Sequence, residues 1–525
     1  MLENFPFYLL LVIVIMLLIM LAKKIRVAYP VLLVLAGLAI CFIPGTPPMS
    51  IEPELIFLIF LPPLLYAAAW TTSWKELWRW RRIVFSFAFI VVFFTAVAVA
   101  FVANYFIPGF SLALGFLLGG IVSPPDAVSA GAILKFVKVP KRFSSILEGE
   151  SLLNDASSLI IFRFAMLAVA TGQFIWQQAA LNFAWMVIGG VGAGVFVGWA
   201  FMKLHKILPT DANTDIIFTL VTPFVMYLAA EEIHASGVLA VVSGGLFLSN
   251  RSHDFLSSAS RVRGVTVWES FVFLLNGIVF MLIGLDLPQI VSGLENTSIY
   301  TAFGYSVLIT LTLIVVRILA AYGAVVTTLI MRNFITVADP NPHQSKGPLI
   351  LGWSGMRGVV SLAAALSIPV ALSDGTLFPQ RNLILFITFI VILLTLVVQG
   401  LTLPYMIRKF KIPDPDFTRP EKEIDNEIRQ ELAKVALDKL KTDYNEDLKR
   451  HPMLVEQMTR WEQRLNSSEI IIRFPEYRKI YLEVLETQRQ WLINKNREEL
   501  LLDEDIIRKH LRALDLEEEK IELRG

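Results

Sequence analysis

Thirteen apolar runs between residues 1 and 407 constrain this chain more than any other feature. A transmembrane helix needs roughly 20 mostly apolar residues to cross about 30 Å of hydrocarbon. Runs of that kind centre near Val14, Ala36, Leu61, Phe94, Val122, Ile160, Gly194, Pro223, Ser243, Ile278, Leu313, Gly358 and Leu394. Charge divides accordingly: of 91 Asp, Glu, Lys and Arg, 40 lie in residues 1–407 and 51 in residues 408–525. The chain reads as an all-α polytopic membrane protein: a thirteen-helix transmembrane domain over 1–407, a linker over 408–420 and a cytoplasmic helical domain over 421–525.

Cytoplasmic loops close to membrane helices are enriched in Lys and Arg. Here 21 Lys and Arg follow odd-numbered runs, and Arg381 alone follows an even-numbered one. The N-terminus is therefore expected outside and the C-terminal domain in the cytoplasm, with the chain in the cell membrane. Glu3 precedes the first run while Lys23, Lys24 and Arg26 follow it, the reverse of a signal peptide, so that run is expected to stay as a span. A net charge of +1 gives no basic surplus for nucleic acid. The lone Cys41 cannot form an internal disulfide. His205, His234, His253 and His343 read as residues of connecting segments, which argues against a histidine-built metal or catalytic centre in the membrane, and no cofactor is expected.

Asp126, Glu150, Asp155, Arg163, Glu269, Arg317 and Arg357 lie within the apolar runs. A charge at a helix centre costs about 2.5–3.5 kcal/mol on insertion scales, so such groups face a cavity or pair with one another. Structural ion pairing is the plain alternative to function for each. The fifth run reads GFLLGGIVSPPDAVSAGAIL. Pro124 and Pro125 have no N–H to give, so the carbonyls of Gly120 and Ile121 lose their helical partners and the helix should open beside Asp126. Free carbonyls at membrane depth survive only where protein or a water-filled cavity satisfies them. With a carboxylate they make a hard oxygen site for a small cation.

The twelfth run, LGWSGMRGVVSLAAALSIP, places Gly352, Gly355 and Gly358 around Arg357. Interrupted helices at matching positions of two halves point to a transporter's midplane site built by an inverted repeat. Runs one to six would repeat as eight to thirteen, and the two unwound helices would cross with Arg357 near the acidic break. The sixth run opens EGESLLNDASSLIIF, which puts Glu150 and Asn154 four apart, as are Ser151 and Asp155. Asp155 lies too far into the helix to be a cap.

SPPDAVS, GESLLND and GMRGVVSLAAAL, in that order, resemble the sodium/proton exchanger branch of the monovalent cation:proton antiporters over about residues 5–407. The resemblance implies a homodimer of thirteen-span protomers, each with a dimerisation domain and a moving core. It also implies that Asp155 binds cation and proton in turn, with Asn154 as its structural neighbour, Ser151 as a further ligand and Asp126 helping to coordinate Na+. Glu150 resembles the family's buried acid that pairs with an arginine, for which Arg317 and Arg357 both qualify. One departure is Pro125, standing where relatives commonly carry threonine or another small residue, so ion preference is not carried over with the motif.

The implied activity is exchange of a monovalent cation, Na+ first and K+ as the alternative, for H+. Asn154 in place of a second aspartate predicts one cation per proton. A cation channel is a weaker alternative. An intramembrane protease is weaker still: Gly352-Trp353-Ser354-Gly355 has the form of a rhomboid nucleophile, but its serine needs a base within reach. Gly190, Gly194 and Gly198 permit close helix packing or dimer contact. In the tail, Ile424, Ile428, Val435, Leu440, Tyr444 and Leu448, and then Ile480, Val484 and Trp491, recur at helical spacing and predict a small amphipathic bundle.

Overall fold

The computed structural model describes residues 5–25, 27–43, 58–134, 137, 139–172, 176–294, 297–334, 346–372, 375–410, 421–445, 451–466, 474–498 and 504–522. Among these no strand forms, and Ala371 and Leu377 make one isolated antiparallel bridge. The chain divides into two units, residues 1–416 and 417–525. Loop charges Arg26, Lys135 and Lys138, together with His343 and linker residues 411–420, lie outside the described residues.

A helix or helix pair stands at each apolar run. In chain order they are α1 (Phe5–Ile25), α2 (Tyr29–Ile40), α3 (Leu61–Thr71), α4 (Trp74–Phe106), α5a (Leu112–Val122), α5b (Ala127–Leu134), α6 (Lys141–Thr171) and α7 (Trp176–Ile207). There follow α8 (Ala212–Glu232), α9 (Gly237–Asn250), α10 (Ser258–Leu285), α11 (Ile299–Met331), α12a (Gly347–Trp353), α12b (Val359–Leu366) and α13 (Arg381–Phe410). Among the described residues, eight helices are long and apolar enough to cross a membrane by length and composition; α2, α5a and α9 are shorter apolar helices. Leu10, Ile13, Leu17 and Met20 on α1 are each more than half exposed. Such apolar faces suit hydrocarbon, where exposure carries no hydration cost.

The packing repeats across the two halves. Helices α4, α5 and α6 pack on one another, and so do α11, α12 and α13. Likewise α2 lies on α10 while α9 lies on α3. These correspondences follow the seven-run offset of an inverted repeat. The glycine stripe of α7 is spent inside the unit. A Cβ on Gly190 would lie 2.7 Å from the Ser236 carbonyl, and one on Gly194 would overlap the Ala240 carbonyl. The close approach of α7 to α9 requires glycine at 190 and 194, so at those positions the stripe serves packing within the unit.

The tail unit comprises α14 (Glu421–Asp443), α15 (Pro452–Asn466), α16 (Phe474–Glu498) and α17 (Glu504–Glu522), with α14 packed on α15 and α16 on α17. Pro475 falls in the first turn of α16, where its missing N–H costs nothing. Packing selects Ala433, Leu437 and Leu485 for burial, whereas Ile428, Val435, Ile480, Val484 and Trp491 remain exposed. The stripes read from sequence are therefore only partly the buried ones. Helical spacing defines an apolar stripe, but in each hairpin only the face toward the paired helix is covered.

Candidate functional site

The fifth helix breaks where its prolines demand. Helix α5a stops at Val122, Ser123 to Asp126 are non-helical, and α5b starts at Ala127. The positions that would have bonded the Gly120 and Ile121 carbonyls are Pro124 and Pro125. Between α12a and α12b, Ser354 to Gly358 are likewise non-helical. The two breaks meet: the Asp126 N–H donates to the Met356 carbonyl at 2.7 Å. A single hydrogen bond thus joins residues 230 positions apart at the crossing of the two halves.

Glycine at 355 and 358 has a more particular reason than helix weakening. A Cβ on Gly355 would overlap the Arg317 side chain, and one on Gly358 would overlap the Asp126 carboxylate. Gly358→Ala should therefore displace Asp126 and, on the expectation that Asp126 helps to coordinate the cation, weaken apparent cation affinity by on the order of 10- to 100-fold, the scale of a 1 Å misplacement. Cation titration of exchange checks this, and an unchanged half-saturation would refute it.

Asp126 caps α5b. Its Oδ1 accepts from the Val128 N–H at 2.9 Å, and its Oδ2 accepts from the Ser129 hydroxyl at 2.5 Å. Asn154 is fully buried, and its Nδ2 donates to the Pro125 carbonyl at 3.0 Å, tying α6 to the unwound segment. Asn154→Ala should orphan that carbonyl and cost about 1–3 kcal/mol, read as a fall in Tm. The π-helical turns of α4 and α13 also serve the crossing. In the first, the Ala88 carbonyl accepts from Ser157 of α6; in the second, Thr395 Oγ1 accepts from the Arg357 N–H at 3.1 Å.

Asp155, Asp126 and Ser151 line one chamber of about 220 Å³, with Pro124, Pro125 and Gly358 in its wall. Asp155 is 7 % exposed, and its carboxylate takes no hydrogen bond or ion pair among the described residues. Asn154, expected from the resemblance as the structural neighbour of Asp155, is absent from that lining and holds backbone instead. Glu148 also lines the chamber, and sequence reasoning missed it. Its signal was present: seven residues before Asp155 on a helix is nearly the same face. A larger cavity of about 800 Å³ shares Val128 and Asn276 with the chamber and is bounded by Lys23, Asp215, Arg261 and Glu269.

Glu150 pairs with Arg317, not Arg357. The two guanidinium nitrogens reach its carboxylate oxygens at 2.7 and 2.8 Å, with both side chains buried. Arg357 is 1 % exposed, and its Nε and Nη1 have no hydrogen-bond partner among the described residues. Arg163 forms a two-pronged bridge to Glu231 on α8. His205 belongs to the last turn of α7 rather than a connection, and its Nδ1 lies 2.8 Å from Asp215 Oδ1. His253 stands in the short helix Ser252–Phe255, and no described cluster of His, Cys, Asp and Glu could hold a metal ion. Ser354, the nucleophile of the protease alternative, donates its hydroxyl to the Leu351 carbonyl at 2.8 Å and is buried.

Comparison with known proteins agrees with this geometry. The transmembrane sodium/hydrogen exchanger family matches residues 10–409. A Bacillus subtilis (strain 168) protein named as a sodium, potassium, lithium and rubidium/H(+) antiporter is 34% identical over 430 residues, covering 79% of this chain and 62% of its own. A Mycobacterium tuberculosis H37Rv protein named an uncharacterized Na(+)/H(+) exchanger is 32% identical over 515 residues, covering 95% and 92%. The chain spans about six tenths of the length of the Bacillus relatives it matches. The structure of the sodium proton antiporter MjNhaP1 from Methanocaldococcus jannaschii at pH 8 shares the fold with a TM-score of 0.62 at 20% identity, covering 78% of this chain and 98% of that one. With the matched family spanning nearly all of the membrane unit, around two crossing broken helices and a buried carboxylate, this chain belongs to the sodium/hydrogen exchanger family.

Proposed function

We propose that this protein is a secondary transporter, not an enzyme, which exchanges a monovalent cation for H+ across the membrane by alternating access. The observation that carries this reading is the buried Asp155 carboxylate, unpaired among the described residues, facing the same small chamber as Asp126 and Ser151. Cation and proton compete for Asp155. An empty buried carboxylate is costly, whereas its protonated form or cation complex is nearly neutral, so only loaded carriers switch sides. Each pH unit supplies about 1.4 kcal/mol per proton, enough for roughly a tenfold opposing cation gradient.

Asp126 and Ser151 complete the oxygen set for Na+, Asn154 holds the unwound backbone at Pro125, and the Glu150–Arg317 pair ties α6 to α11. Na+ is the first cargo by family. K+ is the second reading, favoured by the broad ion range in the name of the Bacillus subtilis relative. All thirteen runs cross, with the N-terminus outside and the tail in the cytoplasm, as the loop charges require. The larger cavity shares wall residues with the Asp155 chamber and is bounded by Lys23 and Arg261, which follow odd-numbered spans; this supports a conformation that opens to the cytoplasm. The protein acts as a homodimer, as its family resemblance implies.

Purified protein in liposomes with Na+, Li+ and K+ compared tests class, cargo and exchange together. Proton movement driven by a cation gradient is the expected result, and its absence with all three ions would overturn the reading. Reversing the membrane potential at fixed ion gradients should leave the rate nearly unchanged. A steep voltage dependence would exclude one-for-one stoichiometry.

A further inference from the structure

We propose that the Arg163–Glu231 ion pair is the latch that closes the transport path at the end away from the cytoplasm. This rests on the alternating-access reading above. Asp155, Leu159 and Arg163 stand four residues apart along α6 and share one side of it. At a rise of about 1.5 Å per residue, Arg163 lies about 12 Å beyond Asp155 along the helix. On the near side of Asp155 the chamber runs to Glu148 and Thr72, and the larger cavity to Lys23 and Arg261. Toward the far side, Leu159 is partly buried and packs against both large apolar clusters. One turn further, Arg163 Nη2 donates to Glu231 Oε1 at 2.9 Å and to Oε2 at 2.7 Å.

The two partners are held by different parts of the fold. Arg163 rides on the helix that carries Asp155. Glu231 stands in the last turn of α8, and its Oε1 also accepts from the Gly237 N–H at 3.3 Å, at the start of α9. A movement of α6 against α8 and α9 beyond the reach of the arginine side chain breaks the bridge. Its side chains are 44% and 30% exposed, so the pair is not sealed inside the packed interior. An exposed pair contributes little to stability, which suits a contact made and broken in every cycle. The bland reading, a surface bridge that merely stiffens the fold, differs in what it predicts: it would alter thermal stability without altering which face reaches the site.

Leu159→Cys in a Cys41→Ala background, the only native cysteine removed, reports access from the far side. A charged, membrane-impermeant thiol reagent applied opposite the tail should label it about two- to fivefold faster when Arg163→Gln or Glu231→Gln is added, the population change that the free energy of a solvated pair supports. The charge swap Arg163→Glu with Glu231→Arg should return labelling toward the parent rate. Unchanged labelling in both single variants overturns the latch.

A second measurement needs no cysteine. In Glu231→Gln, the ratio of apparent cation half-saturation at the two faces should shift two- to fivefold toward tighter binding from outside; a ratio equal to the parent's also overturns the proposal. Labelling is read without transport. Failure of exchange in the parent would therefore refute the functional reading, whereas unchanged labelling would refute the latch alone.

Discussion

Asp155→Asn is expected to abolish cation-driven proton movement in proteoliposomes while the protein still purifies folded. The amide has nearly the carboxylate's shape, and the Asp155 carboxylate accepts no described hydrogen bond that the change would forfeit. What disappears is the charge. A neutral amide neither releases a proton at physiological pH nor neutralises a bound cation, so the carrier has nothing to exchange. Stability should hold or rise, because an unpaired buried carboxylate beside Asp126 is unfavourable in the apo state. Persistent exchange in this variant would remove Asp155 as the carrier.

Glu150→Ala and Arg317→Ala act on the fold. Each leaves one buried charge without its partner, at a cost of about 3–5 kcal/mol. That is a large part of the stability of an ordinary domain, so a lower Tm in detergent and a reduced folded yield are expected of both. Glu150 makes the first case sharper: Arg357 is also buried, with Nε and Nη1 unpartnered among the described residues, so losing Glu150 leaves two buried guanidiniums without a paired acid. The double variant Glu150→Leu with Arg317→Leu should recover part of the loss, since apolar replacement of a buried pair is often neutral, but it should stay below the parent because Arg357 remains. Single variants with the parent's Tm would show that the pair does not hold α6 to α11.

Much of this site was legible because its signals are local. Two prolines in sequence cannot donate to the carbonyls four residues back, so the opening before Asp126 follows from covalent structure. The distance from Glu150 to Asp155 along one helix follows from helical periodicity. By contrast, the choice between Arg317 and Arg357 depended on side chains far apart in the chain. Composition offers either arginine; packing delivers Arg317, and its Cδ leaves Gly355 no room for a Cβ. Asn154 shows the same limit. Its neighbour in sequence is the candidate carrier, but its amide turns to the Pro125 carbonyl, a contact set by how α6 lies against α5. Glu148, Glu231 and the His205–Asp215 contact were passed over because each residue alone looks like an ordinary helix-end polar group.

The amino-acid sequence by itself determined the solvent of each part, the positions of the membrane helices, the two interruptions and the acidic helix beside them. These depend on hydrophobic length, missing N–H groups and 3.6-residue periodicity, all properties of short stretches. Tertiary structure alone decided that the interruptions meet through Asp126 and Met356, which arginine neutralises Glu150, and that Asp155 lines a chamber with no partner among the described residues. Those outcomes depend on distances between helices remote in the chain, where burial fixes which of the described polar groups find partners and which do not.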